Sequence, residues 1–165
     1  MPSEPGTGTV TLRPSTPADA PVLFRIESDP EARRMAAFGG EESDSQAAFQ
    51  TRWERMLSDT AVLARTVLWN GRIVGSVLQF ELFQKPSVAY WIGREFWGRG
   101  IATRALAALL RESPVRPLYA RVAKDNLASR KVLENCGFKM SGEDRGFARF
   151  RGAEIEELIY QLRGL

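Results

Sequence analysis

YWIGREFWGRGIATRALAALL, Tyr90 to Leu110, runs from an aromatic and aliphatic strand into a tight Gly-x-Gly-x-Ala turn, and a helix begins directly behind it. A turn of this kind leaves several backbone N–H groups without partners, converging at the positive end of the helix dipole. Gly98 and Gly100 can take conformations closed to other residues and let a ligand approach the backbone closely. Arg99 and Arg104 add positive charge beside the turn. The stretch therefore predicts an anion site, and most naturally a phosphate site.

Two familiar phosphate loops do not fit. A dinucleotide fingerprint requires a third glycine, and that position is Thr103. A P-loop ends in Gly-Lys-Ser/Thr, whereas Arg99 and Gly100 follow Gly98, so the hydroxyl that would hold magnesium is missing. A second segment, RVAKDNLASRKVLENCGF from Arg121 to Phe138, adds an Asn126, Ser129 and Gly137-Phe138 spacing across a predicted strand, helix and strand.

Together the two segments resemble the GNAT acyl-CoA N-acyltransferases. Their pyrophosphate loop, Arg/Gln-x-x-Gly-x-Gly/Ala, lies over Trp97-Gly98-Arg99-Gly100-Ile101-Ala102, with Trp97 departing from the pattern at its first position. The resemblance covers nearly the whole chain. It is nearest to the branch of ribosomal-protein N-terminal acetyltransferases (RimJ/RimL-like), in which the helix after the asparagine carries a serine.

Composition narrows the chemistry. The 165 residues, 44% hydrophobic and 26% charged, suit one soluble domain with its own core. Residues 1–8, rich in Pro, Gly, Ser and Thr, read as a flexible tail, and 9–165 as the domain. No apolar run approaches a membrane span, and the start does not resemble a signal peptide. One cysteine excludes an internal disulfide and fits a reducing cytoplasm. A net charge of +3 with pI about 9.3 suits a polyanionic cosubstrate and is too modest to argue for nucleic acid. With no histidine, there is no imidazole base, no Ser-His or Cys-His nucleophile and no histidine-bound metal. Acyl transfer from a thioester to an amine is among the few reactions that carboxylates, hydroxyls and backbone dipoles can run.

The remaining chain reads as an α/β protein with a mixed sheet of about seven strands and about four helices. Thr9 to Arg13 alternates like an edge strand, and Thr16-Pro17 opens a helix carrying Leu23, Phe24 and Ile26, which Ser28-Asp29-Pro30 ends. A capping box at Ser43-x-x-Gln46 starts the next helix, through Phe49, Trp53 and Leu57, with Met35 to Glu42 as the loop between them. Ala61–Trp69 and Arg72–Phe83 form a hairpin over Asn70-Gly71. Ser87–Ile92 is a strand, Ile101–Arg111 a helix, Leu118–Ala123 a strand and Asn126–Cys136 a helix. Phe138–Phe150 and Glu154–Leu162 close the chain as a hairpin across Arg151-Gly152, a surface compatible with a homodimer.

The resemblance implies acetyl-CoA, or another acyl-CoA, as cosubstrate and an amine as acceptor, with no metal. It implies that the strand before the loop splays from its neighbour and that pantetheine meets backbone groups of Trp91, Ile92 and Gly93. The pyrophosphate would meet the amides of Gly98, Arg99, Gly100, Ile101, Ala102 and Thr103, under Trp97. Asn126 would contact the pantetheine, and Arg130 or Lys131 the adenosine phosphate. The Ile92 N–H would polarise the thioester carbonyl, and Ser129 would serve the leaving sulfur, because Leu133 stands where other family members carry a tyrosine. Ser87 replaces the glutamate that many members carry on that strand, leaving Glu81, Glu156 and Glu157 open as bases acting through water. A site without a strong base favours an amine of low pKa. Longer acyl groups such as succinyl, or a weak acyl-CoA sensor, are the rival readings.

Overall fold

Turn chemistry and alternation build the sheet. The computed structural model describes residues 8–40 and 44–164. Seven strands, β1 (Val10–Pro14), β2 (Leu63–Trp69), β3 (Arg72–Leu82), β4 (Lys85–Ile92), β5 (Leu118–Ala123), β6 (Lys139–Ala148) and β7 (Ala153–Leu162), make one sheet in the order β1-β2-β3-β4-β5-β7-β6. Asn70 and Gly71 both have positive φ, 52° and 82°, as the two-residue turn joining β2 to β3 requires. Phe83 and Gln84, also at positive φ, close a second tight hairpin between β3 and β4 that sequence reading passes over, since neither residue favours that region. Five α-helices are present among the described residues: α1 (Ala20–Glu27), α2 (Pro30–Ala36), α3 (Gln46–Ser58), α4 (Ile101–Glu112) and α5 (Leu127–Asn135).

Two expectations need correction. Ser28-Asp29-Pro30 does end α1, but Asp29 also caps α2, accepting a hydrogen bond from the Ala32 amide at 2.9 Å with Pro30 in the first turn. The first part of the expected Met35 to Glu42 loop is therefore helical. The cap of α3 is Ser45, whose hydroxyl accepts from the Ala48 amide at 3.1 Å. Ser43 lies outside the described residues, as do the tail residues 1–7.

Alternation along the strands sends side chains to two cores. On one face, Val67, Val77, Val88 and Ile92 pack against Ile101, Ala105, Leu106 and Leu109 of α4 and Leu133 of α5. On the other, Ala64 and Leu78 meet Leu23 of α1 and Phe49 and Trp53 of α3. Trp53 satisfies its indole N–H on the Thr16 carbonyl at 2.9 Å.

The sheet is not closed at its middle. β4 pairs antiparallel with β3 from Lys85 to Ile92, and β5 pairs antiparallel with β7 from Leu118 to Ala123. Between β4 and β5 the parallel register holds only at Ser87 and Tyr119. Beyond that bridge the two strands separate, each following its better-paired neighbour.

Candidate functional site

A cavity of ≈ 810 Å³ passes through this parting. Its walls come from Val88 to Ile92 of β4, Ala120 to Ala123 of β5, Gly98 and Gly100 to Thr103, and Asn126 with Ala128, Ser129, Lys131 to Leu133 and Asn135 of α5. Its far end, on the α1–α3 face, is lined by Ala32, Met35, Phe38, Phe80 and Leu82. The glycine turn and the Asn126 helix, read from sequence, and the splay that the resemblance implies thus converge on one space.

Gly98 and Gly100 have φ of 79° and 75°, and a Cβ built on either meets nothing within 4 Å. Their conformation demands glycine, and the space above them is open. Gly100 is the N-cap of α4 and no side chain caps that helix, so the first-turn amides of Ile101, Ala102 and Thr103 face the cavity without an intrahelical acceptor. Arg104 fixes the turn from behind, donating to the carbonyls of Gly8, Arg99 (3.3 Å) and Gly100 (3.4 Å). Arg99 stacks on Trp69, with its guanidinium 5.0 Å from the ring centre, and is not part of the cavity wall. The turn therefore presents backbone amides, rather than the arginine side chains, to the cavity.

Alternation decides which β4 groups face the gap. The Gly93 N–H donates to the Val74 carbonyl at 2.8 Å, so in this antiparallel pair the backbone of Trp91 also points toward β3. The N–H and C=O groups of Tyr90 and Ile92 point the other way. Trp97, which is 42% exposed, donates its indole N–H to the Ile92 carbonyl at 2.7 Å and so covers the end of the gap beside the loop.

Asn126 works within the protein. Its carbonyl oxygen caps α5 by accepting from the Ser129 amide at 3.2 Å, and its amide nitrogen donates to the Met35 carbonyl at 3.1 Å. One side chain thereby joins α5 to α2 across the cavity. Ser129 lines the cavity opposite Tyr90, and their hydroxyl oxygens are 2.7 Å apart. Arg130 turns to the Tyr160 hydroxyl and the Lys124 carbonyl, while Lys131 lines the cavity.

The three carboxylates left open by the sequence separate clearly. Glu81 is exposed on β3 and absent from the lining. Glu156 is exposed and bound to Lys124 at 3.0 Å, which lowers its pKa. Glu157 lines the cavity, half-buried beside Arg121 at 3.4 Å. Burial pushes its pKa above the ordinary value, partly offset by the Arg121 charge. Ser87, at the bridge, is buried and donates to the Lys85 carbonyl at 3.1 Å. Tyr90 and Phe80 had no role in the sequence reading, whereas Met35 opens the Met35 to Glu42 segment expected to line the acceptor's groove. For Tyr90 a signal existed: it shares the face of Ile92 by two-residue alternation. For Phe80, on the neighbouring strand, none did. Among the described residues no group of His, Cys, Asp and Glu could hold a metal ion, and no helix is long and apolar enough to cross a membrane.

Comparison with known proteins agrees with this geometry. The family description "Acetyltransferase (GNAT) domain" matches residues 9–139. YdaF of Bacillus subtilis, a candidate ribosomal N-acetyltransferase, is 27% identical over 93% of this chain and 90% of its own. Mycobacterium smegmatis RimJ, solved with CoA-disulfide, superposes with a TM-score of 0.80 at 22% identity over 96% of this chain and 84% of that one. Spermidine N-acetyltransferase from Vibrio cholerae, solved with CoA and spermine, gives 0.79 at 19% identity over 93% and 95%.

Proposed function

The chain belongs to the GNAT acetyltransferase family, and from that premise we propose that it transfers an acetyl group from acetyl-CoA to the α-amine of a peptide or protein N-terminus. The observation that carries this reading is the single cavity joining the open amides behind Gly98 to a half-buried carboxylate, Glu157. The amides of Gly98 to Thr103 would take the pyrophosphate, the inward groups of Tyr90 and Ile92 the pantetheine, and Lys131 the adenosine phosphate. Holding donor and amine in line supplies up to ~7–11 kcal/mol of the barrier. The Ile92 N–H polarises the thioester carbonyl, Glu157 takes the amine proton through water, and Ser129 stabilises the departing sulfur by donating a hydrogen bond to it.

The acceptor follows from the base and from the apolar end of the cavity. A carboxylate, even one raised by burial, cannot make a lysine neutral. At pH 7.4 a lysine of pKa about 10.4 is ~0.1% neutral, whereas an α-amine near 7.7–8.0 is ~20–30% neutral. Ala32, Met35, Phe38, Phe80 and Leu82 offer no partner for a second ammonium, which disfavours a polyamine. A peptide beginning with a small or apolar residue suits this end.

The test is CoA release from acetyl-CoA with peptides whose N-terminus is free, or is blocked while lysines remain free. Free N-termini should react at least tenfold faster, and Glu157→Gln should lower kcat about 10²-fold while flattening the acid limb of the pH profile. Equal rates on blocked, lysine-bearing peptides would overturn the acceptor assignment.

A further inference from the structure

Within the cavity the contact between Tyr90 on β4 and Ser129 on α5 has no part in the scheme above. The Tyr90 hydroxyl lies 2.7 Å from Ser129 Oγ and 3.1 Å from the Ser129 carbonyl oxygen, and both side chains line the cavity. We infer that Tyr90 is a positioning residue for the transfer: its phenol donates to Ser129 Oγ and leaves the serine proton directed at the thioester sulfur. The inference rests on acyl-CoA occupying this cavity, as proposed above.

One feature supports that direction of donation, and two more fix the serine that receives it. Oγ is the nearer of the two acceptors, and a phenol is a far better donor than an aliphatic hydroxyl. Ser129 cannot drift, because its amide is held by the Asn126 cap in the first turn of α5. Leu133, one turn further on, is fully buried, so at that level of the helix Ser129 is the hydroxyl that faces the cavity. Desolvation pushes the Tyr90 phenol well above its ordinary pKa, and it keeps its proton throughout. The neighbouring titratable groups are Cys136 and Tyr160, with Arg130 and Glu134 hydrogen-bonded to the Tyr160 hydroxyl.

The step balances without ionising Tyr90. The amine nitrogen bonds to the carbonyl carbon and its surplus proton passes to Glu157. The C–S bond breaks with its electron pair going to sulfur, and the thiolate accepts a hydrogen bond from Ser129 Oγ–H, which keeps its proton. A solvent proton then neutralises the thiolate, and Glu157 releases the amine's proton to solvent, once the products leave. If instead Ser129 donated to the phenol oxygen and Tyr90 to the Ser129 carbonyl, the serine proton would be withdrawn from the sulfur.

The experiment compares calorimetric affinities of CoA and desulfo-CoA as pH is raised through the thiol range, around pH 8.5 for an ordinary thiol. A serine proton held toward sulfur stabilises the bound thiolate, so in the wild type CoA should gain about tenfold over desulfo-CoA across that range. Tyr90→Phe and Ser129→Ala should both lose the gain. Tyr90→3-fluorotyrosine, which keeps the shape and strengthens the donor, should widen it and serves if Tyr90→Phe fails to fold. In turnover, Tyr90→Phe should lower kcat about tenfold with the KM for acetyl-CoA unchanged, and the double variant should be no slower than Ser129→Ala alone. A gain retained in Tyr90→Phe, or additive losses in the double variant, would overturn the assignment. The expected pattern of affinities with no acetylated acceptor would sink the transferase reading and leave Tyr90 in its place. Absence of CoA binding would sink both.

Discussion

Asp19 shows how one buried carboxylate anchors the end of the sheet farthest from the chemistry. It accepts a two-pronged contact from Arg13 at 2.7 and 2.9 Å, the Thr16 amide at 2.9 Å and the Thr66 hydroxyl at 2.7 Å. Burial alone would raise its pKa, but these donors outweigh burial and hold it at about 2. The folded value lies below the unfolded one of about 3.9, so the stabilisation is complete above that pH and is lost as pH falls toward about 2. Asp19→Asn should cost about 2–3 kcal/mol in urea unfolding at pH 7, and the difference from wild type should close by about pH 2. A variant gap independent of pH would mean that packing, not charge, carries the effect. The same physics explains why Glu157 escaped selection by sequence. Glu156 and Glu157 are adjacent, and only the register of β7 on β5, which sets Glu157 opposite Ala123, decides which one faces the cavity.

The loop and first turn of α4 form the element on which the proposed acyl-CoA binding would depend. Ile101, Ala105, Leu106 and Leu109 bury one face of the helix, and this spacing was legible because it repeats locally. So was the need for glycine at positions 98 and 100. An alanine at Gly100 would be forced into the left-handed region at about 1–2 kcal/mol, and its methyl would stand in the open space above the turn. Gly100→Ala should therefore lower Tm by a few degrees, yet weaken acetyl-CoA binding more than tenfold by calorimetry. Loss of stability with unchanged affinity would show that the turn does not hold the ligand. Helix α2 illustrates the opposite case. Asp29-Pro30 reads equally as the stop of one helix and the cap and first residue of the next, and the choice depends on what Ala32 finds to pack against.

At the scale of the molecule, the strands and the Asn70-Gly71 turn were readable, whereas the Phe83-Gln84 turn was not and the order β1-β2-β3-β4-β5-β7-β6 rests on pairings between distant segments. The insertion of β7 between β5 and β6 brings Glu157 to the cavity, and no local pattern announces it. The Met35 carbonyl on Asn126 is likewise a contact between segments far apart in the chain. The parting of β4 and β5 beyond Ser87 and Tyr119 also reverses the usual relation between depth and protection. In a closed sheet, central amides take up deuterium last. Here the Tyr90 and Ile92 amides sit at the middle of the sheet with no strand to receive them, so they should label early, before their β3-paired neighbours Ala89 and Trp91. Saturation with acyl-CoA should slow those two central amides most. On the proposed function, a bound pantetheine would act as an eighth, non-peptide strand, making the sheet continuous only while the ligand is present.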